Sequence, residues 1–219
     1  MIFAHERQQI IETCLYLQEM SYFLGTWGNV SIRVGESILL TPSRVEYSIM
    51  KPEDIVVIDM AGNKLKGDRN PTSEKEIHRQ IYNLRNDVFA IIHAHTVYAM
   101  AVSTLEIDEV PCIVEEMSQL LGGSIPLTRE YVRAEEHSLL GIEASKCIQN
   151  RMSLILRNHG SVACGNSLSE ATLVTQVQEK ACMLYLNAIA TGKSLRLIPE
   201  EFIASEHYRY KHTYGKEKT

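Results

Sequence analysis

The chain has 219 residues, 45% of them apolar, and a formal net charge of −5, which fits one globular domain spanning residues 1–219. Its lysines and arginines are scattered rather than grouped in a stripe, which argues against a nucleic-acid partner. Five cysteines without a CxxC pair argue against a disulfide framework and a cysteine zinc site. No apolar run reaches the length of about 18 residues that a membrane span needs. We therefore expect a cytoplasmic protein.

Hydrophobic periodicity in the first third of the chain predicts a helix, several antiparallel strands and a second helix. Apolar residues recur at helical spacing over residues 4–22, and Gly25 is expected to end this first helix. Short β-rich segments punctuated by glycine and proline follow, with the sequences NVSIRV, SILLTP and DIVVIDM. After Pro71, Ser73 and Glu76 have the spacing of a capping box, which predicts the start of the second helix.

The rest of the chain predicts a buried strand, further helices and a hairpin. Residues 89–95 form the strand, and SLILRNHGSVACG forms two strands joined at an Asn-His-Gly turn. Helices are expected at 96–103, 135–149 and 167–190. The tail, residues 199–219, mixes aromatic and charged residues and is expected to pack on another part of the protein. Together these elements predict an α/β fold of three layers, α/β/α, with a central and mostly antiparallel sheet.

Two histidines in the buried strand are the first sign of chemistry. His93 and His95 are two residues apart, so on a strand their side chains share one face and lie close together. Buried imidazoles are costly unless their ring nitrogens are satisfied, and a divalent metal ion satisfies them. His159 and Glu74 would complete a catalytic metal site of three histidines and a carboxylate. Histidines hydrogen-bonded in a core remain the alternative unless the fold brings these residues together.

Two loops have features of anion sites. In GTWGNVSIR the glycines free the backbone, and Gly28 precedes the polar Asn29 where a strand begins, so backbone amides there can hold an anion. Thr72 and Ser73 stand at a helix start, where free N–H groups and the helix dipole favour a phosphate. A helix C-cap and simple N-capping are the respective alternatives. The single hydroxyl of Ser73 does not easily serve both its own helix and a phosphate.

Six motifs, in order, resemble the class II aldolase/adducin family over nearly the whole chain. They are GTWGNVSIR, LLTPSR, NPTSEKEIH, IIHAHTVYAMAVS, LRNHGSVACG and HTYG. The resemblance implies that His93, His95 and His159 bind Zn²⁺, with Mn²⁺ as the alternative metal. It also implies that Glu74 binds the metal at rest and becomes the catalytic acid or base once substrate displaces it. A poorly solvated pocket is then expected to raise the pKa of this carboxyl group.

The resemblance further implies a phosphorylated sugar substrate and a homotetramer with active sites at the subunit interfaces. The positions that match phosphate-binding residues of the family are Gly28, Asn29, Ser43, Thr72 and Ser73. Arg44 stands where the aldolases usually have glycine, and its guanidinium can bind phosphate directly or mark a different substrate anion. Tyr214 matches a catalytic tyrosine in the tail that reaches the site of a neighbouring subunit.

The implied activity is that of a metal-dependent class II aldehyde-lyase. Such an enzyme cleaves a ketose 1-phosphate, here one like the phosphates of fuculose, rhamnulose or 5-deoxyribulose, to dihydroxyacetone phosphate and a small aldehyde. A sugar-phosphate 4-epimerase, decarboxylase or dehydratase of the same family is the alternative enzyme, and a non-catalytic adducin-like binding domain is the alternative of another class. Because Glu115 stands near the position of a catalytic tyrosine in the family's aldolases, the group that takes the C4 hydroxyl proton is open between Glu115, Glu116, Tyr214 and a water.

Overall fold

A seven-stranded sheet lies at the centre of the computed structural model, which describes residues 1–133 and 135–215. The strands are β1 (Asn29–Val34), β2 (Ser37–Leu40), β3 (Val56–Asp59), β4 (Lys64–Lys66), β5 (Ala90–Ala94), β6 (Glu109–Val110), β7 (Ile125–Pro126), β8 (Ser153–Leu156) and β9 (Gly160–Gly165). The main sheet has the order β4-β3-β2-β1-β5-β9-β8, and β6 pairs with β7 in a separate small sheet. Neighbouring strands in both sheets pair antiparallel.

The α-helices lie before, between and after the strands along the chain. They are α1 (Ala4–Glu19), α2 (Lys75–Leu84), α3 (Val97–Ser103), α4 (His137–Ile148), α5 (Leu168–Ile189) and α6 (Glu200–His212), with a π-helical turn at Met117–Leu121. Among the described residues, no helix combines the length and apolar character needed to cross a bilayer. All five cysteines are unpaired.

Alternate residues of the strands bury two apolar clusters, one on each face of the sheet. Ile38 and Ile91 belong to the cluster that contains the apolar residues of α2 and α4, whereas Leu39 and Ile92 belong to the cluster that contains those of α1. This alternation follows from the two-residue period of side chains along a strand. The predicted α/β fold, with a mostly antiparallel sheet between helices, is confirmed.

The strand β5 occupies the position in the sheet that matters for function. It lies between β1 and β9, so that His93 pairs with Asn29 on one side and with Val162 on the other. All five residues of β5 are buried. Residues from three parts of the chain that are remote in sequence therefore meet around this strand.

The tail differs most from the sequence prediction, because residues 200–212 form the helix α6. None of its residues is fully buried, but Ile203 and Tyr210 pack against the larger apolar cluster. His207 Nδ1 lies 2.7 Å from the carbonyl oxygen of Gln119 in the π-helical turn. The expectation that the tail packs on the protein is thus confirmed for its described part, and residues 216–219 lie outside the described residues.

Candidate functional site

Three histidine rings converge beside β5. His93 is on the strand, His95 follows its last residue, and His159 lies in the hairpin turn between β8 and β9. The ring centroids are 4.9–5.1 Å apart and the ring planes stand at 75–80° to one another. One ring nitrogen from each histidine lies within 4.8 Å of the other two. The predicted trio is therefore brought together, as a metal site requires.

The protonation of these rings suits a metal ion. His93 Nδ1 lies 2.9 Å from the carbonyl oxygen of Ser161, and because a carbonyl only accepts, Nδ1 carries the proton and Nε2 keeps its lone pair. His93 Nε2 faces His95 Nε2 at 3.0 Å. Burial, and then the neighbouring histidines, lowers the pKa of His95 to about 3, and burial also lowers the pKa of His93. The neutral imidazoles of His93 and His95 fit a divalent metal, which binds an unprotonated ring nitrogen.

Glu74 completes the set of possible metal ligands. Its Oε1 lies 3.0 Å from His159 Nε2, and its Oε2 lies 3.3 Å from His93 Nε2. Asn29 Nδ2 donates a hydrogen bond of 2.8 Å to Oε2. Three imidazoles are a donor set of catalytic zinc sites, in which a carboxylate can occupy the fourth position until substrate arrives, and imidazole and carboxylate also accept other divalent transition metals.

The contacts of Glu74 with the histidines and Asn29 lower the pKa of its carboxyl group. Burial on its own would raise the pKa of this carboxyl group, but the adjacent His93 and then the hydrogen bonds from His159 and Asn29 outweigh burial. The net effect is a pKa below the ordinary value of glutamate. In this arrangement Glu74 is ionised, as a metal ligand must be, whereas the raised pKa expected from the sequence concerns Glu74 after substrate has displaced it and stays a prediction.

Two loops beside the histidines form a pocket lined by polar side chains. An antiparallel bridge joins Pro42 to Pro71, and two backbone hydrogen bonds flank it, from Ser43 N to the Asn70 carbonyl at 2.9 Å and from Thr72 N to the Thr41 carbonyl at 3.0 Å. This pairing opens into a cavity of about 320 Å³. The predicted residues that line it are Gly28, Asn29, Ser43, Arg44, Thr72, Ser73, Glu74, His95 and His159.

The predicted capping box of α2 is wrong. The helix begins at Lys75 with Glu74 as its N-cap, and no side chain caps it. Glu74 is turned towards the histidines, and Glu76 is turned towards Arg79, whose guanidinium it binds at 2.7 Å. Because it caps nothing, the hydroxyl of Ser73 remains available to a ligand.

Several polar side chains of the pocket have no partner within the protein. Within residues 1–133 and 135–215, no hydrogen bond is made by the side chains of Ser43, Arg44 or Ser73. Arg44 has a left-handed backbone with φ +59°, a conformation that costs a residue with a Cβ about 1–2 kcal/mol. Glycine, the residue that the resemblance leads one to expect at this position, adopts such a conformation without strain.

A glycine is required at position 28 because a side chain there would collide with the core. Its φ is +104°, and a Cβ atom there would lie 2.5 Å from the ring of Phe23. The buried Tyr47 donates a hydrogen bond of 2.8 Å to the Gly28 carbonyl. The loop is therefore held close to the core, with Asn29 directed into the site.

Three predicted residues do not reach this cavity within one chain. Tyr214 is 58% exposed and stacks on Tyr210, with ring centroids 5.7 Å apart. Glu115 accepts a hydrogen bond from Gln119, and Glu116 forms an ion pair with an exposed lysine of α5. None of the three lines the cavity that contains the histidines.

Comparison with known proteins identifies the family. The family model of the class II aldolase and adducin N-terminal domain matches residues 8–186. This chain belongs to that family. It is 31% identical over 212 residues to an L-fuculose phosphate aldolase of Haemophilus influenzae, an alignment that covers 97% of this chain and 96% of the relative. It is 35% identical over 182 residues to an L-fuculose phosphate aldolase of Methanocaldococcus jannaschii, covering 83% of this chain and 96% of the relative.

Solved structures agree with this class II aldolase and adducin assignment. An L-fuculose 1-phosphate aldolase superimposes with a TM-score of 0.89 at 29% identity, covering 94% of this chain and 96% of that structure. YgbL of Klebsiella pneumoniae, described as a putative aldolase, epimerase or decarboxylase, has a TM-score of 0.81 at 22% identity and covers 92% of this chain and 97% of that structure. At 22% identity, the similarity to YgbL supports the fold and not the activity.

Sequence reasoning missed residues that support this class II aldolase site. Glu179, buried in α5, accepts hydrogen bonds from the backbone N–H groups of Tyr98 at 2.8 Å and Ala99 at 2.9 Å. These groups belong to the first turn of α3, so Glu179 anchors the backbone that directly follows His95. Trp27, 65% exposed, places its ring 6.2 Å from that of His95. Glu179 could have been found in the sequence, because it is an acidic residue on the apolar face of a long predicted helix.

Gly160 provides a test of how closely the histidines pack in this class II aldolase site. A Cβ atom at Gly160 would lie 2.7 Å from the Ala94 carbonyl oxygen and 2.8 Å from Cδ2 of His95. Gly160→Ala is therefore expected to displace the ring and to weaken metal binding about 10- to 100-fold, as changes beside metal ligands do. Competition with a chromogenic chelator measures the affinity.

Gly35→Ala is the matched control for this substitution. Gly35 has φ +58° and no atom within 4 Å of the position of its Cβ, so the control introduces backbone strain without a collision. It should lose about 1–2 kcal/mol of unfolding free energy and keep its metal affinity. Unchanged metal affinity in Gly160→Ala would contradict the described packing.

Proposed function

We propose that this chain is a metal-dependent class II aldolase that cleaves a ketose 1-phosphate to dihydroxyacetone phosphate and a small aldehyde. The observation that carries the proposal is the shared cavity, in which a three-histidine cluster and Glu74 lie beside side chains with free donors for an anion. A phosphorylated sugar needs both features, because one end carries the phosphate and the other the reacting carbons. Fuculose, rhamnulose and 5-deoxyribulose phosphates are the candidate substrates.

The relatives favour this reaction over the others considered. Several curated relatives at 31–35% identity are named L-fuculose phosphate aldolase. An epimerase, decarboxylase or dehydratase would use the same fold, but these names do not favour them. A non-catalytic adducin-like domain would not need three converging histidines and a carboxylate, so the retained cluster favours an enzyme.

The residues of the site divide the work of a retro-aldol cleavage. A bound divalent metal would supply Lewis acidity that stabilises the negative charge left on the substrate when the C3–C4 bond breaks. Glu74, released towards the substrate, would exchange the proton at C3, because it lies between the histidines and the pocket lined by polar side chains. The donors around Ser73 would hold the phosphate and so orient the sugar.

We infer that the remaining proton transfer depends on a second copy of the chain. The proton of the C4 hydroxyl needs an acceptor, and Tyr214 does not line the cavity of its own chain. A homotetramer with active sites between subunits would bring this phenol to the cavity of a neighbour. A phenol both donates and accepts a hydrogen bond, which suits the oxygen of the departing aldehyde.

Truncation of the tail tests this role of Tyr214. A chain that ends after His212 should keep its metal and its oligomeric state but turn over about 10²-fold or more slowly, and Tyr214→Phe should reproduce much of that loss. Light scattering and turnover measure the two properties. Tyr208→Phe, which alters an exposed tyrosine of the preceding helix α6, should behave as wild type. Unchanged turnover in both tail variants would remove Tyr214 from the mechanism.

Arg44 is proposed to bind the substrate anion directly. Its guanidinium lines the cavity and has no partner among the described residues, whereas Arg69 of the neighbouring loop is paired with Asp54 at 2.9 Å. A charge-assisted hydrogen bond contributes about 1.5–3 kcal/mol. Arg44→Met is therefore expected to raise the KM for the sugar phosphate about 10- to 100-fold with a smaller change in kcat.

Two further variants sharpen the test of Arg44. Arg44→Gly should lose the same affinity yet gain about 1 kcal/mol of stability, because glycine adopts a positive φ without strain. Arg69→Met should leave KM unchanged. Steady-state kinetics and thermal unfolding measure these effects, and a normal KM in Arg44→Met would exclude direct binding.

We infer zinc as the metal, since three imidazoles are a donor set of catalytic zinc sites, in which a carboxylate can occupy the fourth position. Manganese is the alternative, because availability in the cell often decides between metals that share a donor set.

Five unpaired cysteines favour a reducing compartment, so the cytoplasm is the proposed location.

Metal analysis and a substrate panel test the proposed function together. The purified protein is assayed with the 1-phosphates of fuculose, rhamnulose and 5-deoxyribulose, and dihydroxyacetone phosphate is detected with a coupled dehydrogenase. One divalent metal per subunit, release of dihydroxyacetone phosphate, loss of activity with a chelator and recovery with Zn²⁺ or Mn²⁺ are expected. Absence of product from every ketose 1-phosphate, or full activity after metal removal, would refute the proposal.

A further inference from the structure

A line of buried polar side chains runs from the interior of the protein to Glu74. Tyr82 and Ser31 are joined through their hydroxyls at 2.8 Å, and Ser31 Oγ lies 2.7 Å from His78 Nδ1. His78 Nε2 lies 2.5 Å from Asn29 Oδ1, and Asn29 Nδ2 lies 2.8 Å from Glu74 Oε2. Asn29 is 2% exposed, and the three residues behind it are 0% exposed. Bulk water therefore does not satisfy any of these groups in place of its neighbour.

The chemistry of the carboxylate sets the direction of the hydrogen bonds from Glu74 to Ser31. An ionised carboxylate only accepts, so the amide of Asn29 must turn its NH₂ group to Glu74 and its oxygen to His78. That oxygen also only accepts, so His78 carries its proton on Nε2. The bare Nδ1 of His78 then accepts from the hydroxyl of Ser31, and the hydroxyl of Tyr82 can donate to Ser31 Oγ or to the Ser31 carbonyl, 3.2 Å away.

The surroundings keep His78 neutral, as this direction requires. Burial, and then the neighbouring His93, lowers the pKa of His78 to about 3, while Glu74 acts in the opposite sense. A neutral imidazole has one donor and one acceptor nitrogen, and here both have a partner. Asn29, His78 and Ser31 are thus each satisfied in only one orientation.

We propose that His78, with Ser31 and Tyr82 behind it, is a positioning residue that locks the amide of Asn29 with its NH₂ group facing the cavity. One of the two amide hydrogens holds Glu74 Oε2. The other is left for the substrate anion, a part of the inference that rests on the proposed function. An inverted amide would turn an oxygen towards the carboxylate, and the two acceptors would repel each other. Through this amide, the interior of the protein determines where the carboxylate sits.

Variants at His78 test the proposal. His78→Phe fills the space of the ring without either hydrogen bond, and it is expected to weaken Zn²⁺ binding and to lower kcat, each about 10- to 100-fold, as loss of a partner behind a metal ligand does. His78→Gln can donate to Asn29 and accept from Ser31, so it should recover most of both losses. Zn²⁺ affinity is measured by chelator competition, kcat with the ketose phosphate, and folding by thermal unfolding.

Matched controls separate positioning from general destabilisation. Ser31→Ala removes a hydroxyl of the line and should weaken Zn²⁺ binding. Ser118→Ala removes an equally buried hydroxyl, which donates to the Glu115 carbonyl, and should lower only the unfolding temperature. Equal losses of Zn²⁺ affinity in His78→Phe and His78→Gln, or in the two serine variants, would overturn the proposal.

A measurement on the unaltered protein covers the case in which a variant does not fold. Long-range ¹H–¹⁵N spectra of protein with ¹⁵N-labelled histidine are expected to show His78 as the neutral tautomer protonated on Nε2. A proton on Nδ1 would reverse the line and overturn the proposal. Because neither this spectrum nor the Zn²⁺ titration involves a sugar, a protein that passes both but cleaves no ketose phosphate would refute the proposed function and leave the positioning role supported.

Discussion

Replacing His95 by alanine is expected to remove both the bound metal and the cleavage of ketose 1-phosphates. The ring of His95 meets those of His93 and His159 at the centre of the site, and two remaining histidines hold a divalent ion far less tightly. A Lewis acid contributes several kcal/mol to lowering the barrier, and each 1.36 kcal/mol is a factor of ten. The expected loss in turnover is therefore about three orders of magnitude or more.

Metal analysis per subunit and turnover with the preferred ketose phosphate measure this effect. His5→Ala is the control, because His5 is an exposed histidine on α1, and it should keep full metal content and activity. Circular dichroism establishes that both variants are folded. A purified His95→Ala protein with normal metal content and normal turnover would contradict the metal site at its centre.

Glu74→Gln is expected to lose about two to four orders of magnitude in kcat, the range for removal of a general acid or base. Glutamine has nearly the same shape as glutamate, but its amide does not exchange a proton at neutral pH. Most of the metal should remain bound, because the three histidines are unaltered. The combination of retained metal and lost turnover distinguishes proton transfer from metal binding as the principal role of Glu74.

Glu76→Gln is the matched control for this experiment. Glu76 lies two residues further along the chain and binds Arg79 at 2.7 Å instead of facing the histidines. Loss of this ion pair should lower the free energy of unfolding by about 1 kcal/mol or less and leave kcat unchanged. Near-normal turnover in Glu74→Gln would remove Glu74 from the catalytic mechanism.

The cluster of three histidines was the most predictable part of the molecule. Side chains alternate between the two faces of a strand, so His93 and His95 must lie on the same face once the segment is predicted to be a strand. The approach of His159 depends on the pairing of β5 with β9, where Ala94 faces Ser161. Spacing alone does not determine that pairing, and the six family motifs supplied it.

Features decided by contacts remote in sequence were not predictable in this way. Ser73 and Glu76 have the local spacing of a capping box, but Glu74 is turned towards histidines from two other segments, and the helix begins only after it. The same neighbours lower the pKa of Glu74 in this arrangement. The polar line behind Asn29 depends on packing of α2 against β1, which a search of the sequence for active-site motifs does not detect.

The position of β5 between β1 and β9 also has a consequence for how the chain folds. Asn29 pairs with His93, and His93 pairs with Val162, so the two pairings close very long loops of chain. Contacts of such large sequence separation form slowly, because the loop-closure entropy is lost before the pairing stabilises the chain. The three histidines therefore converge only after the central strands have found their order. Uptake of the metal ion would mark the late stage of folding at which the central sheet is complete.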